Sequence, residues 1–235
     1  PSQSPWEDRL ELLRLKIGDR DEALKIINEL KKGGLPALRM LVSALRRETS
    51  APMRQAIVEV LDDILPATFG EFKDGWYSNR YEMIAAIRDP ANRARLTEYR
   101  LEAVPALIEV LQGDVDILTR RWAASALGQM GGPEAARALL ELAQNEEEQG
   151  VKTWTRLALQ QFSDDDCLPL IRQVLENPQS EGWVKAALIR SLGTIGSDEA
   201  VRLLMTHGEA VAGPGYLGLL AETGNPLALE EIKKG

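Results

Sequence analysis

The chain has 235 residues, a formal charge of −8 and 44% hydrophobic residues, enough apolar side chain to build a core and to exclude wholesale disorder. A pI near 4.9 argues against bulk affinity for nucleic acid or an anionic membrane face, and no apolar run approaches the ~18 residues that span a bilayer. One cysteine, Cys167, and one histidine, His207, exclude an intrachain disulfide framework, a thiolate zinc site and most histidine-based metal sites.

In chain order, residues 1–5 form a Pro/Ser stretch of linker character, and a start at Pro1 suggests a trimmed or processed product. Residues 6–16 and 20–32 read as two entry helices that cap the rest of the chain, the first with Leu10, Leu13 and Ile17 on one face. A helix pair is predicted over 33–65. Residues 66–100 break the pattern and read as an irregular insertion or a diverged repeat, because Arg54 and Arg120 lie 66 residues apart, two periods of a repeat seen elsewhere in the chain. Within that stretch 81–87 and 93–101 have helical character, with Pro90 as a stop between them. Three clear helix pairs follow at 101–132, 133–163 and 164–197, then a weaker one at 198–225. Residues 226–234 look like a first helix without its second. The segments 1–32, 33–65, 66–100 and 101–235 are read as parts of one continuous domain.

The prediction rests on self-similarity. Val104-Pro105-Ala106-Leu107-Ile108 is echoed by Ala136-Arg137-Ala138-Leu139-Leu140, Leu168-Pro169-Leu170-Ile171-Arg172 and Val201-Arg202-Leu203-Leu204-Met205 at 32–33-residue steps. Leu35-Pro36-Ala37-Leu38 fits the same frame. Apolar residues at three- and four-residue steps mark each as an amphipathic helix, and the leading prolines suit a first helical turn. A second helix follows each first one, clearest over 119–131 and 184–196, with further copies at 53–61, 151–162 and 216–224. The fold class expected is all-α: an α-solenoid, or superhelix, of antiparallel helix pairs with a 32–33-residue period.

The tetratricopeptide and ankyrin signatures are missing. Thr119-Arg120-Arg121-Trp122-Ala123-Ala124-Ser125-Ala126-Leu127-Gly128-Gln129-Met130-Gly131 and Val184-Lys185-Ala186-Ala187-Leu188-Ile189-Arg190-Ser191-Leu192-Gly193-Thr194-Ile195-Gly196 resemble HEAT repeats, and more narrowly the short HEAT-like repeats named after phycobilisome lyases. The resemblance covers roughly 33–65 and 101–235. It implies the solenoid fold and, because the repeat serves many unrelated proteins, says little about function.

Three sets of residues are candidates for more than packing. Arg54, Arg120, Lys152 and Lys185 share one register, and Glu48, Asp114, Glu146 and Gln179 lie six residues before them. A basic strip for phosphate or carboxylate is one reading. The resemblance implies the other, a structural ladder in which loop acids and helix bases join neighbouring repeats. Trp122 and Trp154 share a second register, and Arg121, Ser125, Arg156 and Arg190 are expected on or near one accessible stripe with them, while Ala123, Leu127, Ala158, Leu159 and Leu192 are buried. Second helices of a solenoid line its concave face, and Trp and Arg are enriched at binding hot spots; the alternative is that both indoles seal the seams between repeats. In the third set, residues 69–81 hold five of the chain's twelve aromatic residues. Gly70, Asp74 and Gly75 interrupt helix there, Phe69 and Phe72 are expected to pack back, and Trp76 and Tyr77 to contribute to partner binding, unless they only cover a defective repeat.

Acidic runs at 146–148 and 164–166 read as turns and caps rather than a calcium site. His207 replaces an aliphatic position held elsewhere by Val110, Leu142 and Val174, and with Gly208 after it suggests an altered or frayed helix. Cys167 reads as a small core residue. No nucleophile–base pair, glycine-rich phosphate loop or metal cluster appears, so no catalytic residue, metal or cofactor is expected. The expectation is a non-catalytic cytoplasmic scaffold or adaptor that binds another protein through its concave face and aromatic insertion. The alternative implied by the repeat subtype is a bilin lyase or chromophore-handling subunit, with a linear tetrapyrrole in the groove.

Overall fold

The computed structural model describes residues 4–69, 89–114 and 116–233. Among them there is no strand; the fold is all-α, of the α-solenoid class. No helix among the described residues is long and apolar enough to cross a membrane.

The helices gather into two compact units, Pro1–Met130 and Gly131–Gly235. The join falls at Gly131 and Gly132, both at positive φ (63° and 85°), a backbone course that glycine follows without a Cβ clash.

The first unit contains α1 (Pro5–Lys16), α2 (Arg20–Lys31), α3 (Gly34–Leu45), α4 (Ala51–Phe69), α5 (Pro90–Gly113) and α6 (Ile117–Met130). The helices stack in two layers, α1 on α3 on α5 and α2 on α4 on α6. The apolar periodicity causes this. Leu13, Leu30, Leu38, Leu41, Ile57, Leu61, Leu107 and Leu127 each recur on the face of their helix that meets a neighbour, and all are fully buried. Local signals set the helix starts: Ser4 and Glu7 form a reciprocal capping box on α1, and Asp19 accepts from the Glu22 N–H at the start of α2.

The N-terminal helices α1 and α2 enter the same two layers as a helix pair. Of the stretch 66–100, residues 66–69 and 89–100 are described. Helix α4 runs on through Pro66 to Phe69, and α5 is a single 24-residue helix. Pro105 sits inside α5 rather than in a first turn. The carbonyl left without a helical donor is that of Leu101, a residue 71% exposed, so water can satisfy it. Helices α3 and α4 pack directly on α5 and α6.

The second unit contains α7 (Gly132–Asn145), α8 (Gln149–Leu159), α9 (Leu168–Glu176), α10 (Gly182–Ile195), α11 (Asp198–Ala212), α12 (Tyr216–Glu222) and α13 (Pro226–Ile232). Helices α7, α9, α11 and α13 form one layer and α8, α10 and α12 the other. The helix around His207 is neither frayed nor broken: α11 is continuous, and Gly208 is buried because a Cβ there would come within 3.1 Å of the Tyr216 Cβ. Cys167 is buried at the start of α9.

Candidate functional site

The ladder register is clearest in the first unit. Arg54, at the start of α4, reaches the next loop and places Nε 2.6 Å from Oδ2 of Asp114, whose side chain is almost fully buried. Its Nη1 donates to the carbonyls of Leu45 and Glu48 at 3.0 and 3.2 Å. One guanidinium thus joins the end of its own first helix to the end of the next, and the planar fork suits this work. Glu48 does not pair with Arg54 through its side chain. Its carboxylate accepts from the Thr49 and Ser50 N–H groups and pairs with Arg14 at 2.7 Å. Burial pushes Glu48 up, but the Ser50 N–H, the Arg14 guanidinium and the Thr49 N–H together hold it below its ordinary value.

In the second unit the register keeps an acid in Glu146 and then turns neutral. Glu146 caps its own turn, accepting from the Glu147 and Glu148 N–H groups. The structural counterpart of Asp114 and Glu146 in the following loop is Asn177 rather than Gln179. Asn177 is the residue that closes α9, and its side chain accepts from the Gln179 N–H. The spacing to Lys185 is therefore eight residues, two longer than elsewhere, and the six-residue rule lands on the wrong side chain. Facing a neutral loop, Lys152 makes no ion pair among the described residues. Lys185 makes none either. Arg120 is half-buried on α6.

The second-helix layer of the first unit also carries a buried polar cluster that sequence reasoning missed. Asp62 on α4 is 1% exposed. Gln129 on α6 donates from Nε2 to Asp62 Oδ1 at 2.8 Å. Ser125, expected on an accessible stripe, is 2% exposed and turned to the same carboxyl. The correction has a simple cause: α6 packs along α4, so the face of α6 holding Ser125 and Gln129 is the seam. Burial, reinforced by the neighbouring Asp63 carboxylate, pushes Asp62 up to about 8, although Ser125, Gln129 and Lys31 favour its ionised form. Asp62 Oδ2 and Gln129 Oε1 lack a well-formed hydrogen-bond partner. Protonation converts Oδ2 to a donor and removes the buried charge. Alongside, the buried Lys31 of α2 sits 2.7 Å from Asp63 and 4.0 Å from Glu59. A signal for the cluster was present: Asp62 stands in the register of Gly128 and Gly193, a carboxyl where two other copies have no side chain.

Of the residues expected to meet a partner, Arg121 and Trp122 are half-buried in the first unit, and Trp154 is half-buried in the second. Arg156 on α8 and Arg190 on α10 are exposed, make no ion pair among the described residues, and lie on helices that pack together, with Leu157 exposed beside them. Ala123, Leu127, Ala158, Leu159 and Leu192 are fully buried. Trp76 and Tyr77, with Phe72, lie outside the described residues; Phe69 ends α4. Among the described residues no group of His, Cys, Asp and Glu could hold a metal ion.

Helix pairs stacked in two layers, a base near the head of α4, α6, α8 and α10 and an acid closing α5 and α7 are the marks of one repeat family. A family model for HEAT repeats matches residues 72–160. That match and the all-α helix stack support a HEAT-repeat family for the chain. A search of curated proteins finds no match. HEAT repeats commonly serve as protein-interaction scaffolds, and the layered arrangement suits that work: a rigid core holds one surface of each helix outward.

Proposed function

We propose that this HEAT-repeat protein is a non-catalytic scaffold or adaptor that binds another protein through the outward surface of its second helices. The observation that carries the reading is the pair Arg156 and Arg190, exposed and without ion pairs among the described residues on the adjacent helices α8 and α10, with Leu157 exposed alongside. Guanidinium groups with a solvent-facing leucine make a surface that is hydrated in the free chain and able to pair in a complex. On the first helices, by comparison, Arg39, Arg46 and Arg172 are already paired with Glu102, Glu109 and Glu199, though Arg137 and Arg202 are exposed there without an ion pair among the described residues. Trp154 is a half-buried member of the same proposed surface; Arg121 and Trp122 in the first unit, and Trp76 and Tyr77 on the sequence alone, are proposed as further partner-binding residues. The tetrapyrrole alternative has no observation of its own in its favour.

The test is capture of protein from the source cell by the immobilised chain, comparing wild type with an Arg156→Glu/Arg190→Glu variant. A partner retained by wild type, lost by the variant at unchanged melting temperature, supports the reading. Equal capture by both excludes this surface, and a visible-absorbing tetrapyrrole in the eluate in place of a protein overturns the scaffold reading.

A further inference from the structure

Arg54 shows what a base in the ladder register binds: the carboxylate of Asp114, delivered from the end of the next first helix, at 2.6 Å. Lys185 holds that register on α10. In the layer facing it the acid is gone. Helix α11 runs on to Ala212 instead of closing at an acid, and Ala210 and Val211 occupy the register where the earlier copies close on Asp114, Glu146 and Asn177. The place that a carboxylate would fill is a recess of about 450 Å³, whose polar lining is Lys185, His207, Ser180 and Gly182 and whose apolar walls include Leu175 and Val211.

Four observations agree on the chemistry of this recess. No acid lines it. Lys185 has neither an ion pair nor a side-chain hydrogen bond among the described residues. Glu181, the acid four residues before Lys185, accepts the Trp183 indole N–H and makes no side-chain cap on α10, so the first N–H groups of that helix keep their donor capacity. His207, the chain's single histidine, replaces the aliphatic residue that the other first helices carry at this position and puts a polar ring on the wall. One ammonium with an imidazole and a hydroxyl matches a single carboxylate; a phosphate dianion calls for more cationic partners.

We propose that the recess between α9, α10 and α11 receives the side-chain carboxylate of an acidic segment of a protein partner, which takes beside Lys185 the place that Asp114 takes beside Arg54. The inference rests on the scaffold reading for the nature of its ligand and adds a second contact to it. The ladder is completed in the first unit from within the chain; here it is completed from outside.

The experiment uses the full chain and the proton resonances of its one imidazole, which are free of overlap from other histidines. The chain is titrated at constant ionic strength with acetyl-Glu-Glu-Glu-amide, with its Gln-Gln-Gln counterpart and with inorganic phosphate. The expected result is a saturable shift of the His207 signal with the Glu peptide alone. In Lys185→Met, with melting temperature unchanged, saturation requires about tenfold more peptide, as loss of one charge-assisted hydrogen bond implies. Val211→Asp supplies the missing acid from within, and is expected to abolish the response and raise the melting temperature. An equal response to the Gln peptide, a response to phosphate in place of the Glu peptide, an unaltered titration in Lys185→Met, or no saturable shift would each overturn the proposal. Protein capture that depends on Arg156 and Arg190 without any His207 shift sinks this inference alone. A saturable His207 shift without any captured protein sinks the scaffold reading and with it the protein source of the carboxylate, while the carboxylate site itself stands.

Discussion

The seam between α4 and α6 and the seam between α10 and α12 use one register in opposite ways. In the first, Asp62 meets Gln129 and Ser125, and the two helices are joined through a buried, hydrogen-bonded carboxyl. In the second, Gly193 takes the place of Asp62, and a Cβ there would come within 3.3 Å of the Leu219 carbonyl oxygen. One seam is a polar lock and the other a close backbone approach. The ladder differs in the same direction. Arg54 is held by a buried acid, while Lys152 and Lys185 have none. Two units built from one repeat thus place their polar interactions differently: the first spends them on its own cohesion, the second leaves bases available at its surface.

Substitutions can break or sharpen this contrast. The largest effect is expected from Arg54→Ala, which leaves the Asp114 carboxylate buried without its cation and two carbonyls without donors. A loss of about 3 kcal/mol is expected, read from chemical denaturation; a variant that unfolds with wild type would show that the ladder does not hold the first unit.

Asp62 follows. Its folded value, about 8, lies far above its ordinary 3.8, so the folded state binds more protons than the unfolded state between these limits. Stability therefore falls as pH rises through that window and levels off above it. Between pH 5 and pH 7 the expected loss is about 2 kcal/mol, beyond whatever the other groups contribute. Asp62→Asn should remove that slope, because the amide cannot ionise. Parallel stability–pH curves for the two proteins would rule out the neutral-acid lock.

Glu48→Gln is a smaller perturbation, about 1 kcal/mol at neutral pH, because Arg14 is half-exposed and solvent screens the pair. The sign is opposite to that of Asp62. The folded value is depressed, so the stabilisation is present above the ordinary 4.5 and disappears as pH falls through the folded value. The gap between variant and wild type should close in acid; a constant gap would mean that packing rather than charge is at issue.

Lys152→Ala is expected to change stability by less than about 0.5 kcal/mol. Residue spacing alone ranks Lys152 with the ladder bases, and the neutral Asn177 in the following loop is the reason it ranks lower. A loss comparable to that of Arg54→Ala would erase the distinction between the units.

Much of the architecture is legible in the residues alone. The period, the two helices per repeat and the apolar faces follow from the spacing of Leu107, Leu127, Leu139, Leu159 and their equivalents, because helical geometry puts such residues on one side. The ladder register is legible too, since Arg54, Arg120, Lys152 and Lys185 align by simple counting. Ser125 is misjudged because a serine inside a small-residue stripe looks accessible on a helical wheel, and only the direction from which α4 approaches α6 decides otherwise. Gln179 stands in place of Asn177 in the sequence reading because a fixed offset cannot anticipate a loop two residues longer.

By itself, then, the sequence determined the fold class, the identity of the first and second helices and the residues that fill the core, since these depend on periodicity along a single helix. Tertiary structure decided which bases found acids, that Asp62 is buried against Gln129, that α1 and α2 join the layers, and that the helices gather into two units on either side of Gly131 and Gly132. Those outcomes depend on which surface of one helix meets which surface of another. A pairing between residues 60 or 67 apart in the chain, as in Arg54–Asp114 or Asp62–Gln129, exists only once the layers have stacked.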